Sequence, residues 1–287
     1  MVQSKKVNNN FNFLKPIKFS KLVRMGRIYD GGYVVPEELI KKSQVLISFG
    51  YGYDPYFEYD YITRSNKSVY IYDYSCGYLY LIKKLLKCLK RFLLFRKKII
   101  DIKFYFNNLI NHIQFVKNKN INFYKKKIVS NNLATKNKPD IFISSHSAGE
   151  IPNFTSSITV DDIFSSIKSK NIIFKCDIEG SEYQIIDELL KHQDRIDVMA
   201  IEFHWIDKNL DQFIEEINKI LEFFSIVHIH GNNHFQFVEE ANIPVILEIT
   251  FVNNKYIQKK DYITNFPIKN LDNPNNLHIE DLYFYFE

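Results

Sequence analysis

The sequence predicts an α/β fold with a mostly parallel sheet and helices on both faces. Short apolar runs, such as residues 45–49 and 172–174, alternate with segments in which apolar residues recur at helical spacing. Several of these runs end in glycine, aspartate or glutamate. Because parallel strands end at the same edge of a sheet, we expect these terminal residues to line one crevice, where α/β folds bind their ligands.

The composition is that of an ordinary folded protein, with its excess positive charge in one segment. The 287 residues are 46% hydrophobic and 25% charged, which predicts one soluble, globular domain over residues 1–287. The net charge is +5, but residues 83–98 carry +8 without an acid, so the remainder carries −3. Such local basicity argues against a nucleic-acid-binding protein. The three cysteines have no paired spacing, and no apolar signal segment follows the N-terminus, so we expect a reducing, cytoplasmic setting.

The N-terminal region predicts a flexible start and then a hairpin. Residues 1–20 are polar and rich in asparagine, and we expect a loose lead-in there. Asp30, Gly31 and Gly32 form a turn signal, and Tyr33 begins a short strand-like run. A plain hairpin explains this stretch as well as a ligand site does.

A glycine turn follows the buried run at residues 45–49. Gly50 and Gly52 stand directly after it, and a helix can begin soon afterwards with Glu58 near its start. A strand, a glycine turn and a helix can bring backbone amides against a nucleotide-like ligand.

The next strand, at residues 68–72, ends in Asp73. This acid lies about twenty residues after Gly50 and Gly52, where dinucleotide-binding folds place an acid that accepts both ribose hydroxyls. The alternative is that Asp73 only closes the strand. Its pairing with the glycine turn favours the ligand role.

Residues 78–118 form a basic segment with helical periodicity, which we interpret as a helical insertion or lid. Its simplest interpretation is a helix with one packed apolar face and one solvated basic face. Binding of an anionic substrate and peripheral contact of residues 78–100 with a membrane surface are the alternatives. The apolar residues at helical spacing are Ile82, Leu85, Leu86, Leu89, Phe92 and Leu93.

The remaining segments complete the alternation of strands and helices. Strands are expected at residues 121–129, 140–143, 171–177, 197–201, 224–230 and 245–252, and helices near residues 159–164 and 209–223. The last two strands suit a hairpin with a short connection. The tail, residues 253–287, is a C-terminal extension whose aromatic finish fits an edge strand or a homodimer contact.

The strand at residues 171–177 ends in an acidic cluster. Asp177 and Glu179 stand at the strand end, Gly180 permits a tight turn, and a helical pattern begins after Glu182. Acids in a first helical turn favour the helix, with Ser181 as a cap, and this explains Glu182. It does not explain Asp177 and Glu179, which we therefore assign to chemistry.

Further polar residues follow the later strands. Glu202 and His204 end one strand, and His230 ends another. Either histidine can serve as a general base near neutral pH. Together with Asp177, the residues Glu202, His204 and His230 also supply enough ligand atoms for a divalent metal ion, although their spacing does not decide this.

Several common nucleotide and hydrolase motifs are missing. The glycine turn is not Gly-x-Gly-x-x-Gly, because residue 55 is proline, and no P-loop or Gly-x-Ser-x-Gly nucleophile motif occurs. A cofactor with adenine and ribose but no pyrophosphate remains, and S-adenosylmethionine fits this description.

The segment Asp177-Ile178-Glu179-Gly180-Ser181-Glu182 resembles the Asp-x-Glu-Gly-x-Glu signature of FkbM-type methyltransferases. Residues 24–33 and 48–50 are similar to the front of a subgroup of that family, and the similarity spans roughly residues 22–252. The resemblance implies a Rossmann-like class I methyltransferase sheet of seven strands, the last of them antiparallel. It also implies S-adenosylmethionine as cofactor and O-methylation of a sugar or another hydroxylated product.

On this resemblance, the expected catalytic residues are Asp177, Glu179, His204 and His230. The expected cofactor-binding residues are Gly31, Gly32, Tyr33, Phe49, Gly50, Gly52, Glu58, Asp73 and Asp177. The expected acceptor is a hydroxyl of a small molecule, a sugar, or a phosphorylated or nucleotide-linked precursor of a surface glycan such as capsular polysaccharide. A metal-dependent hydrolase and a non-catalytic binding protein on the same scaffold are the rival hypotheses.

Overall fold

The computed structural model describes residues 4–94, 97–131, 156–259 and 261–287. Its strands are β1 (Lys5–Lys6), β2 (Leu22–Met25), β3 (Tyr33–Pro36), β4 (Val45–Phe49), β5 (Ser68–Tyr72), β6 (Ile121–Tyr124), β7 (Lys127–Val129), β8 (Ser157–Thr159), β9 (Ile172–Cys176), β10 (Ile196–Phe203), β11 (Phe224–Gly231), β12 (Phe237–Val238), β13 (Ile243–Pro244), β14 (Leu247–Asn253), β15 (Asn265–Phe266) and β16 (Phe284–Tyr285). Its α-helices are α1 (Glu37–Lys42), α2 (Tyr56–Ser65), α3 (Tyr78–Leu93), α4 (Ile99–Val116), α5 (Val160–Ser166), α6 (Ile186–Leu190) and α7 (Leu210–Leu221).

Seven strands form the central sheet in the order β11-β14-β10-β9-β4-β5-β6. The pairs among β6, β5, β4, β9 and β10 are all parallel, and β14 runs antiparallel to both of its neighbours. This arrangement confirms the predicted sheet, including the reversed last strand. The parallel strands end together at one edge, which we call the carboxyl edge.

Each strand contributes alternate side chains to two hydrophobic cores, one on each face of the sheet. In β4, Ile47 belongs to the core that also contains Phe164 of α5 and Phe213 of α7, whereas Leu46 belongs to the core with Phe57 of α2. The near-continuous apolar runs of the central strands therefore reflect burial on both faces.

The hairpin β2–β3 lies against the sheet near β14. The hydroxyl of Thr250 donates a hydrogen bond to the carbonyl oxygen of Val34 over 2.6 Å. The contact brings the turn between β2 and β3 towards the carboxyl edge, so this hairpin covers part of the crevice there.

The N-terminal lead-in is not loose, contrary to the sequence prediction. Strand β1 pairs with β16, and the side chains of Phe11 and Leu14 are buried in the core. The sequence did not predict the burial of Phe11 and Leu14, because the apolar residues among the asparagines are few and follow no helical or strand period. The aromatic C-terminal finish forms β16, the middle strand of a small sheet between β1 and β15, so the predicted edge strand is wrong.

Two other predicted elements differ from the structure. The predicted strand at 121–129 is two strands, and only β6 joins the central sheet, whereas β7 pairs with β8. The chain between β11 and β14 is not a short connection, because it contains the small hairpin β12–β13. The predicted strand at 140–143 lies outside the described residues.

The basic segment forms the connection from β5 to β6 as two helices, α3 and α4, which pack against each other. Arg96, one of its basic residues, lies outside the described part. Among the described helices, none combines the length and the apolar character that a bilayer-spanning segment needs.

Candidate functional site

A row of polar residues crosses four neighbouring strands at the carboxyl edge. Asp177 follows Cys176, which pairs with Ile201, and the next residue of β10 is Glu202. Glu202 pairs with Glu248 of β14, and Glu248 pairs with His230 of β11. The strand pairing thus places four polar residues in a single line on one face of the sheet, and they are Asp177, Glu202, Glu248 and His230.

Three predicted residues converge into a potential ligand group. One ligand atom from each of Asp177, Glu179 and His204 lies within 4.8 Å of the others. Nε2 of His204 stands 3.9 Å from Oδ1 of Asp177 and 3.8 Å from Oε2 of Glu179. These distances are too long for hydrogen bonds, so the three groups face each other across a small gap.

The backbone at this group is strained. Glu179 and Trp205 both adopt left-handed φ angles, 58° and 55°, although neither is glycine or asparagine. Each such residue costs on the order of 1–2 kcal/mol. Strain of this kind concentrates at functional sites, where the surrounding structure holds side chains in a required direction.

Glu182 orients the ring of His204. Its buried carboxylate accepts hydrogen bonds from Nδ1 of His204, at 3.1 Å, and from the backbone N–H of His204, at 2.6 Å. Its second oxygen accepts the backbone N–H of Gly180 at 2.8 Å. Glu182 follows Ser181, whose side chain makes no capping hydrogen bond. The acid that the sequence assigned to helix capping is therefore the partner that turns Nε2 of His204 towards Asp177 and Glu179.

The charges around His204 determine its protonation. Burial alone would lower the pKa of His204, but the negative charges of Glu182 and Glu202 raise it well above its usual value. Burial, together with the charge of Asp177, raises the pKa of Glu202 well above its usual value. The charge of Glu182 thus favours the imidazolium form of His204, which donates a hydrogen bond from Nε2.

His230 lies apart from this group, although the sequence assigned both of these histidines to the same chemistry. Its ring is fully buried between Glu248, 3.2 Å from Nδ1, and Asp281, 3.3 Å from Nε2. With both ring nitrogens engaged, His230 does not suit the predicted roles of base or metal ligand. Glu202 borders the group, because one of its oxygens lies 3.6 Å from Nε2 of His204 and the other accepts from Asn232.

The two glycines of the turn after β4 have different environments. A Cβ at Gly50, which has φ +79°, would lie 1.7 Å from the carbonyl oxygen of Asp177, so this turn passes directly against the end of β9. A Cβ at Gly52, which has φ +56°, would meet nothing within 4 Å. Gly50 therefore joins the turn to Asp177, and Gly52 leaves open space on its outer side.

Asp73 holds the turn rather than an open position. Its Oδ2 accepts the backbone N–H groups of Tyr51 and Gly52 at 2.8 and 3.0 Å, and its Oδ1 accepts from Ser75 and Cys76. The four lone-pair sites of a carboxylate are thereby used within the protein. The ribose-binding role predicted for Asp73 needs some of these hydrogen bonds to be exchanged.

Two other predicted cofactor residues lie beneath the turn. Phe49 and Glu58 are completely buried, and Glu58 accepts a hydrogen bond from Ser48 at 2.6 Å. The ammonium of Lys175 donates to the carbonyl oxygen of Gly50 at 2.7 Å. These residues support the turn from within, so direct contact of Phe49 or Glu58 with a cofactor does not fit their positions.

The predicted residues of the β2–β3 hairpin reach the site through one side chain. The hydroxyl of Tyr33 donates to Oδ2 of Asp177 at 3.0 Å. A Cβ at Gly31 would press on the carboxylate of Asp54, and one at Gly32 would lie 2.1 Å from the carbonyl oxygen of Arg27. The two glycines thus allow close packing of the hairpin turn, and Tyr33 contacts the acidic group.

Sequence reasoning missed Lys175 and Glu248 as residues of this region. Both are charged residues in fully buried strands, and both lie on the face that carries Asp177 and Glu202. The signal was available in the strand period of two, since Lys175 and Asp177 are two residues apart in a buried segment. The Glu182–His204 contact had no such signal, because the partners lie in different segments.

The strand order, the glycine turn and the acidic carboxyl edge define a Rossmann-like methyltransferase fold. A family description, the methyltransferase FkbM domain, matches residues 66–237. The chain therefore belongs to the FkbM methyltransferase family, and methyl transfer is the activity that this membership supports.

Comparison with individual proteins adds little to the family match. No curated protein sequence matches the chain. Among solved structures, the chain is similar to the Methanococcus jannaschii fibrillarin pre-rRNA processing protein, with 12% identity and a TM-score of 0.36. That similarity covers 83% of this chain and 87% of the other.

Proposed function

We propose that the protein is an S-adenosylmethionine-dependent O-methyltransferase that acts on a hydroxyl of a sugar or of a phosphorylated or nucleotide-linked glycan precursor. The observation that carries this proposal is the contact between the glycine turn and the acidic group. Gly50 passes against Asp177, and Asp177 faces Glu179 and His204. A cofactor on the turn and an acceptor at the acids would therefore be neighbours.

The residues of the turn fit an adenosyl cofactor in two respects. The outer side of Gly52 is unobstructed, and Gly50 of the same turn lies against Asp177, whose carboxylate supplies negative charge that suits a positively charged sulfonium. Asp73 does not fit the predicted ribose contact, because hydrogen bonds within the protein already occupy its carboxylate. When bound, S-adenosylmethionine supplies an electrophilic methyl group.

Asp177 is the residue that we assign to remove the proton of the acceptor hydroxyl. Its carboxylate is partly exposed and is held by Tyr33 on one side. Glu179 is a second, more exposed acid beside it, and the imidazolium of His204 can donate a hydrogen bond that orients the acceptor oxygen. In this proposal the carboxylate of Asp177 is the general base, and His204 orients the acceptor oxygen.

We further propose that a divalent cation can occupy the gap among Asp177, Glu179 and His204. Ligand atoms about 2.1 Å from one ion lie roughly 3–4 Å apart, and the separations from Nε2 of His204 fall in this range. The hydrogen bond from Nδ1 to Glu182 is the second-shell contact that metal-binding histidines commonly make. A cation would displace the proton of His204 and could hold a sugar diol.

The surplus of carboxylates bears on the acceptor. The carboxylates of Asp177 and Glu179 repel a phosphorylated acceptor unless a cation lies between them and the phosphate, whereas a neutral sugar can donate hydrogen bonds from its hydroxyls to them. The link to a surface glycan such as capsular polysaccharide rests on analogy with the family. A cytoplasmic location agrees with three buried free cysteines at positions 76, 88 and 176.

Calorimetry with S-adenosylmethionine and S-adenosylhomocysteine tests the cofactor assignment. We expect the wild type to bind both, and Gly52→Asn to weaken binding at least tenfold, because asparagine tolerates the left-handed backbone and fills the open space. Asn66→Ala is the control, since it adds similar backbone strain at an exposed residue with φ 55° outside the turn. Absence of binding to the wild type would overturn the proposal.

Radiolabelled methyl transfer to a panel of free and nucleotide-linked sugars distinguishes the rivals. A metal-dependent hydrolase predicts no cofactor binding and no effect of Gly52→Asn. A non-catalytic binding protein predicts cofactor binding without transfer to any acceptor, and without loss of function in Asp177→Asn. The proposed enzyme predicts transfer that Asp177→Asn abolishes.

A further inference from the structure

Helix α3 carries an apolar stripe that no described part of the chain covers. Its members recur every three or four residues, and they are Leu79, Ile82, Leu86, Leu89 and Leu93. Leu86 and Leu93 expose 59% and 76% of their surface. A continuous exposed stripe of large aliphatic side chains marks an interaction surface, whereas single exposed leucines do not.

The stripe is distinct from the face by which α3 packs. Leu81 and Cys88, seven residues apart, are buried, and they lie on the side of the helix that meets the rest of the protein. The exposed stripe runs beside that packed face. The second helix extends the apolar surface with several exposed residues, which are Ile99, Ile100, Phe104, Phe106 and Ile110.

Basic side chains border the stripe. Lys83, Lys87, Lys90 and Arg91 are exposed on α3, and the helix contains no acidic residue. Long basic side chains can lay their methylene stems along an apolar surface and reach outward with their charges. A helix with this composition suits a partner that is apolar below and anionic at its surface.

We propose that α3 docks parallel to the surface of an anionic lipid bilayer. Its stripe enters the boundary between headgroups and acyl chains, and its lysines and arginine contact the lipid phosphates. The charges favour this partner over a second copy of the chain, because two α3 helices facing each other would bring their basic residues together. The docking does not depend on methyl transfer. Since α3 begins shortly after Asp73, it would hold the carboxyl edge near the membrane.

Vesicle sedimentation of the full chain tests the proposal. We expect binding to phosphatidylcholine vesicles that contain about 30% of the anionic lipid phosphatidylglycerol, and little binding to phosphatidylcholine alone. Lys87→Gln/Lys90→Gln/Arg91→Gln should lower the partition coefficient by about 100-fold. Leu86→Asn/Leu93→Asn should lower it at least tenfold through lost apolar burial. Raising the salt concentration should release the wild type.

Matched controls separate this surface from general effects. Lys18→Gln/Lys67→Gln/Lys119→Gln removes three exposed positive charges elsewhere, and Leu277→Asn/Ile279→Asn removes two exposed apolar residues elsewhere. Both controls should bind as the wild type does, and all variants should melt near its Tm.

Three results would overturn the proposal. The first is equal sedimentation of the wild type with and without anionic vesicles. The second is a dimer, seen by analytical ultracentrifugation, that Leu86→Asn/Leu93→Asn converts to a monomer while vesicle binding stays absent. The third is binding to soluble polyglutamate that is as tight as binding to vesicles and unaffected by the leucine variant, which would indicate an acidic protein partner.

Discussion

Oε1 of Glu182 lies 3.1 Å from Nδ1 of His204 and 2.6 Å from the backbone nitrogen of the same residue. One buried carboxylate thus fixes both the ring and the backbone of His204. The other ring nitrogen is left facing Asp177 and Glu179 without a hydrogen bond to either. The function of Glu182 is therefore to hold His204 in one orientation.

Glu182→Gln should weaken divalent metal binding without abolishing it. The variant keeps the shape of the side chain but places an amide N–H₂ where a backbone or ring N–H now donates, so the orientation of His204 loosens. Loss of such a second-shell contact typically reduces metal affinity about 10–100-fold. Titration with Mn²⁺, followed by electron paramagnetic resonance, measures this, and His204→Gln should remove the site.

Glu216→Gln is the matched control, because Glu216 is a buried acid of α7 that pairs with Lys219 away from the site. It should bind Mn²⁺ like the wild type. A folded Glu182→Gln protein with unchanged Mn²⁺ affinity would contradict the positioning role, and a wild type that ignores Mn²⁺ would contradict the metal site.

His230 should make stability depend on pH on the alkaline side. Burial lowers the pKa of His230, but the hydrogen bonds that its ring donates to Asp281 and Glu248 outweigh this and raise the pKa to about 10. In the unfolded chain the pKa is about 6.5. The raised value stabilises the fold fully below pH of about 6.5, and this stabilisation is lost as the pH rises through 10.

Urea unfolding of the wild type and His230→Gln at several pH values measures this contribution. The difference in free energy of unfolding should shrink by about 1.4 kcal/mol for each pH unit between about 7 and 9. His278→Gln, at an exposed position of the tail, is the control and should differ from the wild type by a constant amount. A constant difference for His230→Gln would show that the histidine is not charged in the fold.

The sheet could be predicted because its information is local. The runs at β4, β5, β9 and β10 are short, apolar and bounded by turn residues, so pattern alone placed them. The split of residues 121–129 into β6 and β7 was missed, because Lys125 and Lys126 interrupt a strand-like composition only slightly. Strand partners depend on the tertiary fold, which the period does not encode.

The site could be predicted only in part, for the same reason. Strand ends share an edge, so Asp177 and His204 could be placed together from the sequence. The chemical role of each acid depends on what its oxygens contact. Asp73 was assigned to a ligand and proved to hold the backbone of the turn, while Glu182 was assigned to a helix and proved to hold His204.

Lys175 should be essential for the stability of the turn. Its buried ammonium donates a hydrogen bond to the carbonyl oxygen of Gly50, and its positive charge offsets the negative charges of Glu58 and Asp177. Lys175→Met leaves the buried carboxylate of Glu58 without compensation, so we expect a loss of about 3–5 kcal/mol in the free energy of unfolding. Urea denaturation measures this loss.

A double-mutant cycle assigns part of that loss to Glu58. Burial raises the pKa of Glu58 and the charge of Lys175 lowers it, so the two groups are coupled. Glu58→Gln in the Lys175→Met background removes a buried charge and should recover at least about 1 kcal/mol. Strict additivity of the two substitutions would show that Lys175 acts only through its hydrogen bond to Gly50.

The two glycines of the turn should respond very differently to alanine. At Gly50 the added Cβ would lie 1.7 Å from the carbonyl oxygen of Asp177, so β4 and β9 must move apart at the site. With the left-handed backbone as an added cost, we expect a loss of roughly 3–5 kcal/mol and reduced Mn²⁺ binding. At Gly52 only the backbone strain remains, about 1–2 kcal/mol, because the space is open.

Thermal and urea denaturation of Gly50→Ala and Gly52→Ala, with Mn²⁺ and S-adenosylhomocysteine titrations, test this contrast. Gly52→Ala should keep Mn²⁺ affinity, because the added Cβ would meet no atom within 4 Å. The affinity of Gly52→Ala for S-adenosylhomocysteine should fall. The loss should be smaller than in Gly52→Asn, because the methyl group of alanine fills less of the open space than the side chain of asparagine. Equal effects of the two alanines on stability and on Mn²⁺ binding would mean that the turn yields as a unit, and that Gly50 does not couple it to Asp177.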